Sequence, residues 1–162
     1  MGETKAAGAS WQEKLRDSKG LPKVEKIAGK MSKRWGTGTV VIPAPMEVDE
    51  IMRRVPSGRL ITVNLIREKL AKKHGATIAC PITTGIFAWV AAHAAEEARA
   101  QGRTRTTPYW RTLKSKGELN EKYPGGAKAQ ASHLRKEGHV IERRGSKGTL
   151  GVKDFQSRLV SV

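Results

Sequence analysis

The alternation of apolar and polar residues divides the chain into short elements. Over PKVEKIAGKMSKRWG, residues Val24, Ile27, Met31 and Trp35 recur at helical spacing with lysines opposite, which predicts an amphipathic helix from Pro22 that stops at Gly36. TVVIPAP predicts a short strand ended by prolines, and EVDEIMRRV a short helix with acidic residues in its first turn. VPSGRLIT predicts a turn on Pro56, Ser57 and Gly58 leading to an extended piece, with Thr62 or Asn64 as cap of the next helix. In NLIREKLAKKHG, Ile66 and Leu70 point inward, Arg67, Lys69, Lys72 and Lys73 stay wet, and Gly75 ends the helix. CPITTGIFAWVAAHAAEEARAQG opens with proline near its first helical position and predicts a long helix. Its inward stripe is Ile82, Ile86, Trp89, Val90 and His93, which leaves Thr83, Thr84, Gly85, Phe87, Ala88 and Ala91 as a smooth opposite face.

Two helices joined by a short glycine-containing linker match a helix-turn-helix. Downstream, KYPGG predicts a turn, AKAQASHLRKEG a further helix, and HVIERR with TLGV a hairpin through Gly145 to Gly148. The expected fold class is therefore mainly α with short β: a winged helix-turn-helix domain over 46–162. It is preceded by an extension over 11–45, holding a helix and a short strand, and by residues 1–10, whose small polar composition reads as disorder.

Charge changes the picture most. The chain carries 31 Lys and Arg against 15 Asp and Glu, a formal +16, which favours a polyanionic partner. Residues 1–55 hold 11 basic and 7 acidic side chains (+4), and 56–162 hold 20 and 8 (+12), so the binding module is expected in the C-terminal part. Nucleic acid is the first candidate and no membrane association is expected, because no apolar run approaches a spanning length. The start, MGETKAAGAS, lacks the apolar core of a signal peptide, and a cytoplasmic location is expected. One cysteine, Cys80, excludes an internal disulfide, and four scattered histidines give no ligand spacing, so neither a metal nor a cofactor is expected.

A smooth helix face without Arg, Asn or Gln is poorly equipped to read base edges in the major groove, but it suits close approach to a minor groove. Arg143, Arg144 and Lys147 at the hairpin are candidate phosphate contacts. TPYWRTLK places Tyr109 and Trp110 side by side in a chain with eight aromatic residues, either as a plug closing a core or as a stacking platform for a base.

In this order, VPSGRLIT, CPITTGIFAWV, TPYWR and KYPGGAKAQASHLRKEG resemble the DNA-binding domain of the methylated-DNA-protein-cysteine methyltransferases and their alkyltransferase-like relatives, over about residues 46–144. That family places its second helix in the minor groove, extrudes an O-alkylguanine, and moves the alkyl group to a cysteine in Pro-Cys-His-Arg. The resemblance puts Pro108 and Arg111 on that motif, Tyr109 at the acceptor cysteine and Trp110 at the activating histidine. Glu137 matches the acid that orients the histidine, Val63 the flipping tyrosine, and Gly85 the arginine that fills the vacated stack.

Phenol and indole cannot replace the thiolate and its base, so no catalytic residue is expected. The resemblance implies a non-enzymatic double-stranded DNA-binding protein that senses alkylated guanine, with Pro108, Tyr109, Trp110, Arg111, Tyr123 and Glu137 at the lesion pocket. Its DNA contacts would be Thr62, Val63, Arg67, Lys72, Lys73, Thr83, Thr84, Gly85, Ala88, Arg143, Arg144 and Lys147. The alternatives are an architectural or regulatory winged-helix protein that flips no base, which Val63 and Gly85 favour, and an enzyme using another group, for which Cys80 is the only thiol. Residues 1–45 are a candidate surface for a protein partner, and the oligomeric state is left open.

Overall fold

A computed structural model describes residues 9–161. Helix α1 (Trp11–Arg16) begins at Ser10, whose hydroxyl accepts from Glu13 N while the Glu13 carboxylate accepts from Ser10 N. That reciprocal pair supplies partners for two end groups of a helix too short to be stable alone. Most of the expected disordered terminus lies outside the described residues, but Ser10 is ordered as this cap.

The expected helix over 22–36 is replaced by strand β1 (Lys23–Lys26) and a single-turn helix α2 (Met31–Trp35). Gly29 between them has φ +62°, which breaks a continuous helix, and β1 pairs antiparallel with β2 (Thr39–Ile42). Pairing satisfies backbone groups that periodicity had assigned to a helix, and of the expected stripe only Ile27 is buried.

Helix α3 (Pro45–Arg53) is followed by β3 (Ile61–Thr62) and by α4 (Val63–His74), which Thr62 caps through its hydroxyl and Gly75 closes in the left-handed conformation. Strand β4 (Ile78–Ala79) runs parallel to β2, and helix α5 (Pro81–Ala100) starts directly from it. A turn at Tyr109–Arg111 leads into β5 (Thr112–Leu113), parallel to β3. Helix α6 (Gly126–Lys136) precedes an antiparallel hairpin of β6 (Ile141–Arg144) and β7 (Thr149–Val152). The result is mixed α/β, with six helices and three small sheets among the described residues.

The core lies around α5. Val41, Val48, Met52, Ile66, Leu70 and Phe87 pack there with Tyr109 and Tyr123. A second cluster, including Leu60, Leu113, Leu134 and Val152, lies beneath the hairpin, and Trp110 touches both. The N-terminal segment shares this core: Leu15 packs into it, and Glu97 of α5 accepts from Trp11 N and Gln12 N at the start of α1. A carboxylate at those exposed N–H groups is favoured by the helix dipole as well as by hydrogen bonding. Burial pushes Glu97 up, but the bonds from Gln12 and Trp11 prevail and hold it below the usual carboxylate range.

Candidate nucleic-acid interface

Helix α5 packs in the opposite sense to that expected. Thr84 and Ala88 are fully buried with Phe87 and Ala91, and the Thr84 hydroxyl donates to Cys80 O. Ile82 is 53% exposed and Ile86 45% exposed. The small-residue face lets α3, α4 and the N-terminal segment come close to the helix axis, which larger side chains would prevent. Val90 does turn inward, whereas Trp89 and His93 are only half-buried. Thr84 and Ala88 therefore cannot contact DNA, and the Thr83 hydroxyl is covered although the residue is half-exposed.

The exposed stripe forms one wall of a groove of about 990 Å³. Ile82, Gly85, Ile86, Trp89 and His93 line it from α5, and Val63 and Asn64 from the first turn of α4. Lys114, Ser115, Glu118, Asn120 and Lys122 close it from the segment after β5. A Cβ at Gly85 would meet nothing within 4 Å, so a side chain could be added there into open space. Of the expected contacts, only Val63 and Gly85 reach this groove. Its far end is fixed by His93, which bonds Lys122 O at 2.9 Å and stacks on Trp11 at 4.6 Å.

Other expected contacts fall elsewhere. Thr62 is buried and engaged as the α4 cap. Arg67 donates to Ala79 O and, with Lys72, lines a separate depression of about 480 Å³. Lys73 bridges Glu47 at 2.6 Å, and His74 bonds the same carboxylate. At the hairpin, Arg143 and Lys147 are exposed. Arg144 is committed internally: it bonds Glu142, Lys116 O and Val152 O and lies over the Phe155 ring, fastening the hairpin to the loop that closes the groove.

TPYWR forms no open pocket. Tyr109 is 1% exposed, its hydroxyl donates to Glu96 at 3.1 Å, and its ring meets Trp110 and Tyr123 edge-on. Tyr123 and Pro108 are buried as well. Burial raises both phenols above their ordinary range, so both stay neutral and Tyr109 donates a hydrogen bond to Glu96. Trp110 stacks on His133 at 4.1 Å and 11° and donates to Glu137 at 3.0 Å. Arg111 grips Glu137 through Nε and Nη2 and donates Nη1 to Val55 O. Glu137 thus bonds Trp110 and Arg111, and not Tyr109. Burial pushes its pKa up, but the bonds from Arg111 and Trp110 prevail and hold it below the usual carboxylate range. Burial lowers His133, and Arg99 and Lys136 add to the effect. These side chains clamp helices together and leave no face on Tyr109 for a base.

Among the described residues that line the groove, His93 bonds Lys122 O and no hydroxyl. Cys80 is buried at the N-cap of α5, away from the groove lining, and its backbone N–H bonds Val41 O. Among the described residues no cluster of His, Cys, Asp or Glu could hold a metal. Among the described residues no helix is long and apolar enough to cross a membrane.

Sequence reasoning missed Ile82, Ile86 and Trp89 as groove-lining residues because it assigned them inward. It gave Asn64 only a capping role, and it missed Lys114 and Lys122 altogether. The available signal was the cluster of lysines in LKSKGELNEK next to the expected DNA-binding helix.

The geometry defines a small α/β protein whose two consecutive helices and following loop bound an apolar groove edged by Lys114, Glu118 and Lys122. No family model and no curated protein matches the chain. Two solved structures are similar to it: S. pombe Atl1 in complex with damaged DNA containing O6-carboxymethylguanine, and S. pombe ATL in complex with DNA. Each is 17% identical and aligns over 73% of this chain and 94% of its own, with TM-scores of 0.45 and 0.44.

Proposed function

We propose that this chain is a non-enzymatic, double-stranded DNA-binding protein of winged-helix type. The α4–α5 groove would meet the minor groove, and Arg143 and Lys147 of the hairpin would meet flanking phosphates. The carrying observation is the exposed pair Ile82 and Ile86 on consecutive turns of α5, beside Lys114, Glu118 and Lys122 in a chain of net +16. Exposing such side chains is unfavourable by about 1.5–3 kcal/mol each relative to burial, a cost recovered when a partner covers them. Minor-groove proteins use apolar side chains of this kind against base steps, with cations along the backbone.

The finer proposal is that an alkylated guanine is sensed, with the α5 groove and not TPYWR as the receiving space. Asn120, Ser115 and Trp89 supply polar and aromatic partners for a base there. The burial of Tyr109 favours a second reading, an architectural or regulatory DNA-binding protein that flips no base.

A titration of plain duplex and of duplex carrying one O-methylguanine, each at several salt concentrations, tests these readings. If about six phosphates are neutralised, affinity falls roughly a thousandfold between 50 and 200 mM salt. A flat salt response refutes the phosphate contacts, and no binding at low salt refutes duplex binding. Equal affinity for the two duplexes removes lesion sensing and leaves the architectural reading.

A further inference from the structure

On the other side of α5 from the groove lies a recess of about 160 Å³ with an unusual concentration of arginine. Arg16 reaches it from the end of α1, Arg53 from the end of α3, and Arg103 and Arg105 from the segment after α5. Among the described residues Asp49 is the only carboxylate in its lining. That aspartate is fully buried and already occupied, accepting from Thr107 Oγ1 at 2.6 Å and from Arg53 Nη2 at 3.1 Å. The pair leaves Arg53 held in place at the rim.

The other three guanidinium groups make no ion pair or hydrogen bond with a described residue, and the α5 carboxylates Glu96 and Glu97 are engaged elsewhere. Glu96 is taken by Tyr109 and Arg99, and Glu97 by Trp11 and Gln12. Four arginines against one neutralised aspartate leave an excess of about three positive charges around a cavity fit for one small anion. Planar guanidinium groups match phosphate oxygens two at a time, which makes arginine the suitable cation for this purpose.

The placement relative to the groove decides the consequence. At about 100° per residue, Ala94, Ala95 and Ala98, which floor the recess, lie roughly 120–220° around α5 from Ile82. From Ile86 to Ala95 the helix also rises about 13 Å. A duplex seated on Ile82 and Ile86 therefore leaves the recess open on the opposite side.

We propose that the arginine recess is a second nucleic-acid backbone site, so that one chain holds two duplex segments at once. This rests on the groove reading for the first segment, while the recess itself is tested separately. The gathering of arginines from three separate elements suits a phosphodiester presented from a convex surface. A phosphorylated peptide is the competing occupant and an outcome of the test.

The test is the number of short plain duplexes bound per chain, read by native mass spectrometry and sedimentation with duplex in excess. Three proteins are compared: wild type, the recess variant R16Q/R103Q/R105Q, and the groove variant I82D/I86D. All five replaced side chains are exposed, and circular dichroism checks that each protein is folded. The expected result is two duplexes on wild type and one on each variant, with the recess variant keeping its tighter affinity within about twofold. One duplex on wild type, or two on the recess variant, overturns the proposal. No binding by the groove variant also overturns it while leaving the groove reading intact. Wild type that binds no duplex sinks both readings. A phosphoserine peptide that displaces the second duplex at a lower concentration than free duplex does replaces the nucleic acid with a phosphopeptide.

Discussion

Two apolar clusters flank the same helix and differ in one respect. Around Tyr109, aromatic rings from the turn, from α6 and from the loop before it close on one another, with the polar tips of Tyr109 and Trp110 bonded to Glu96 and Glu137. Around Ile82 and Ile86, apolar side chains face solvent beside lysines. The closed cluster fixes the fold and the open one is available for contact. Their places along the chain suggest the reverse, because two adjacent aromatics draw attention and two isoleucines in an alanine-rich helix do not. A side chain's chemistry is therefore less informative than whether its neighbours have already saturated it.

The strongest break of this contrast is Tyr109→Ala. A large buried truncation costs about 3–5 kcal/mol, so thermal denaturation should fall by about 10 °C while the folded protein keeps its DNA affinity. A protein of unchanged stability with weakened DNA binding would move Tyr109 from the closed class to the open one. Tyr109→Phe, which removes only the hydroxyl that bonds Glu96, should cost about 1 kcal/mol.

Arg111→Ala is next in size. Arg111 and Glu137 are mostly covered, and removing one partner of such a pair costs about 3 kcal/mol by leaving the other buried and unpaired. Chemical denaturation checks this, and Glu137→Gln should lose less because its amide still accepts a hydrogen bond.

The open cluster should respond oppositely. I82D/I86D should leave the denaturation midpoint nearly unchanged and weaken duplex binding at least about tenfold, equivalent to about 1.4 kcal/mol. A large loss of stability would show that these isoleucines belong to the core after all.

The smallest effect concerns pH. Glu47, Glu97 and Glu137 are all held below their ordinary value of 4.5, so the stability each contributes is present above that pH and is lost as pH falls through the folded-state value. His133 and His139 are lowered from 6.5, chiefly by burial. The unfolded chain takes up those protons first, so stability also declines as pH falls below 6.5. In a pH series of denaturation curves, His133→Gln should flatten part of the decline just below 6.5, and Glu137→Gln part of the steeper decline below 4.5.

Much of the fold was legible in the sequence because its signals are local. Thr62 caps α4 and Gly75 stops it, Pro81 opens α5, and glycines turn the hairpin, each through an interaction within a few residues. The excess of positive charge and its concentration after residue 55 are likewise properties of the sequence alone. Tertiary structure decided what depends on distant partners. Strand β1 exists because residues 39–42 offer it a ladder, overriding a helical spacing already interrupted by Gly29. The inward face of α5 was open to either choice, since both sides carry apolar residues. Packing chose the side with small residues because α3 and α4 approach it closely, leaving Ile82 and Ile86 outside. Arg16, Arg53, Arg103 and Arg105 are scattered over 90 positions, and only the folded chain gathers them at one recess. Local hydrogen bonding can be read residue by residue, whereas burial and pairing are determined by which surfaces meet when the whole chain closes.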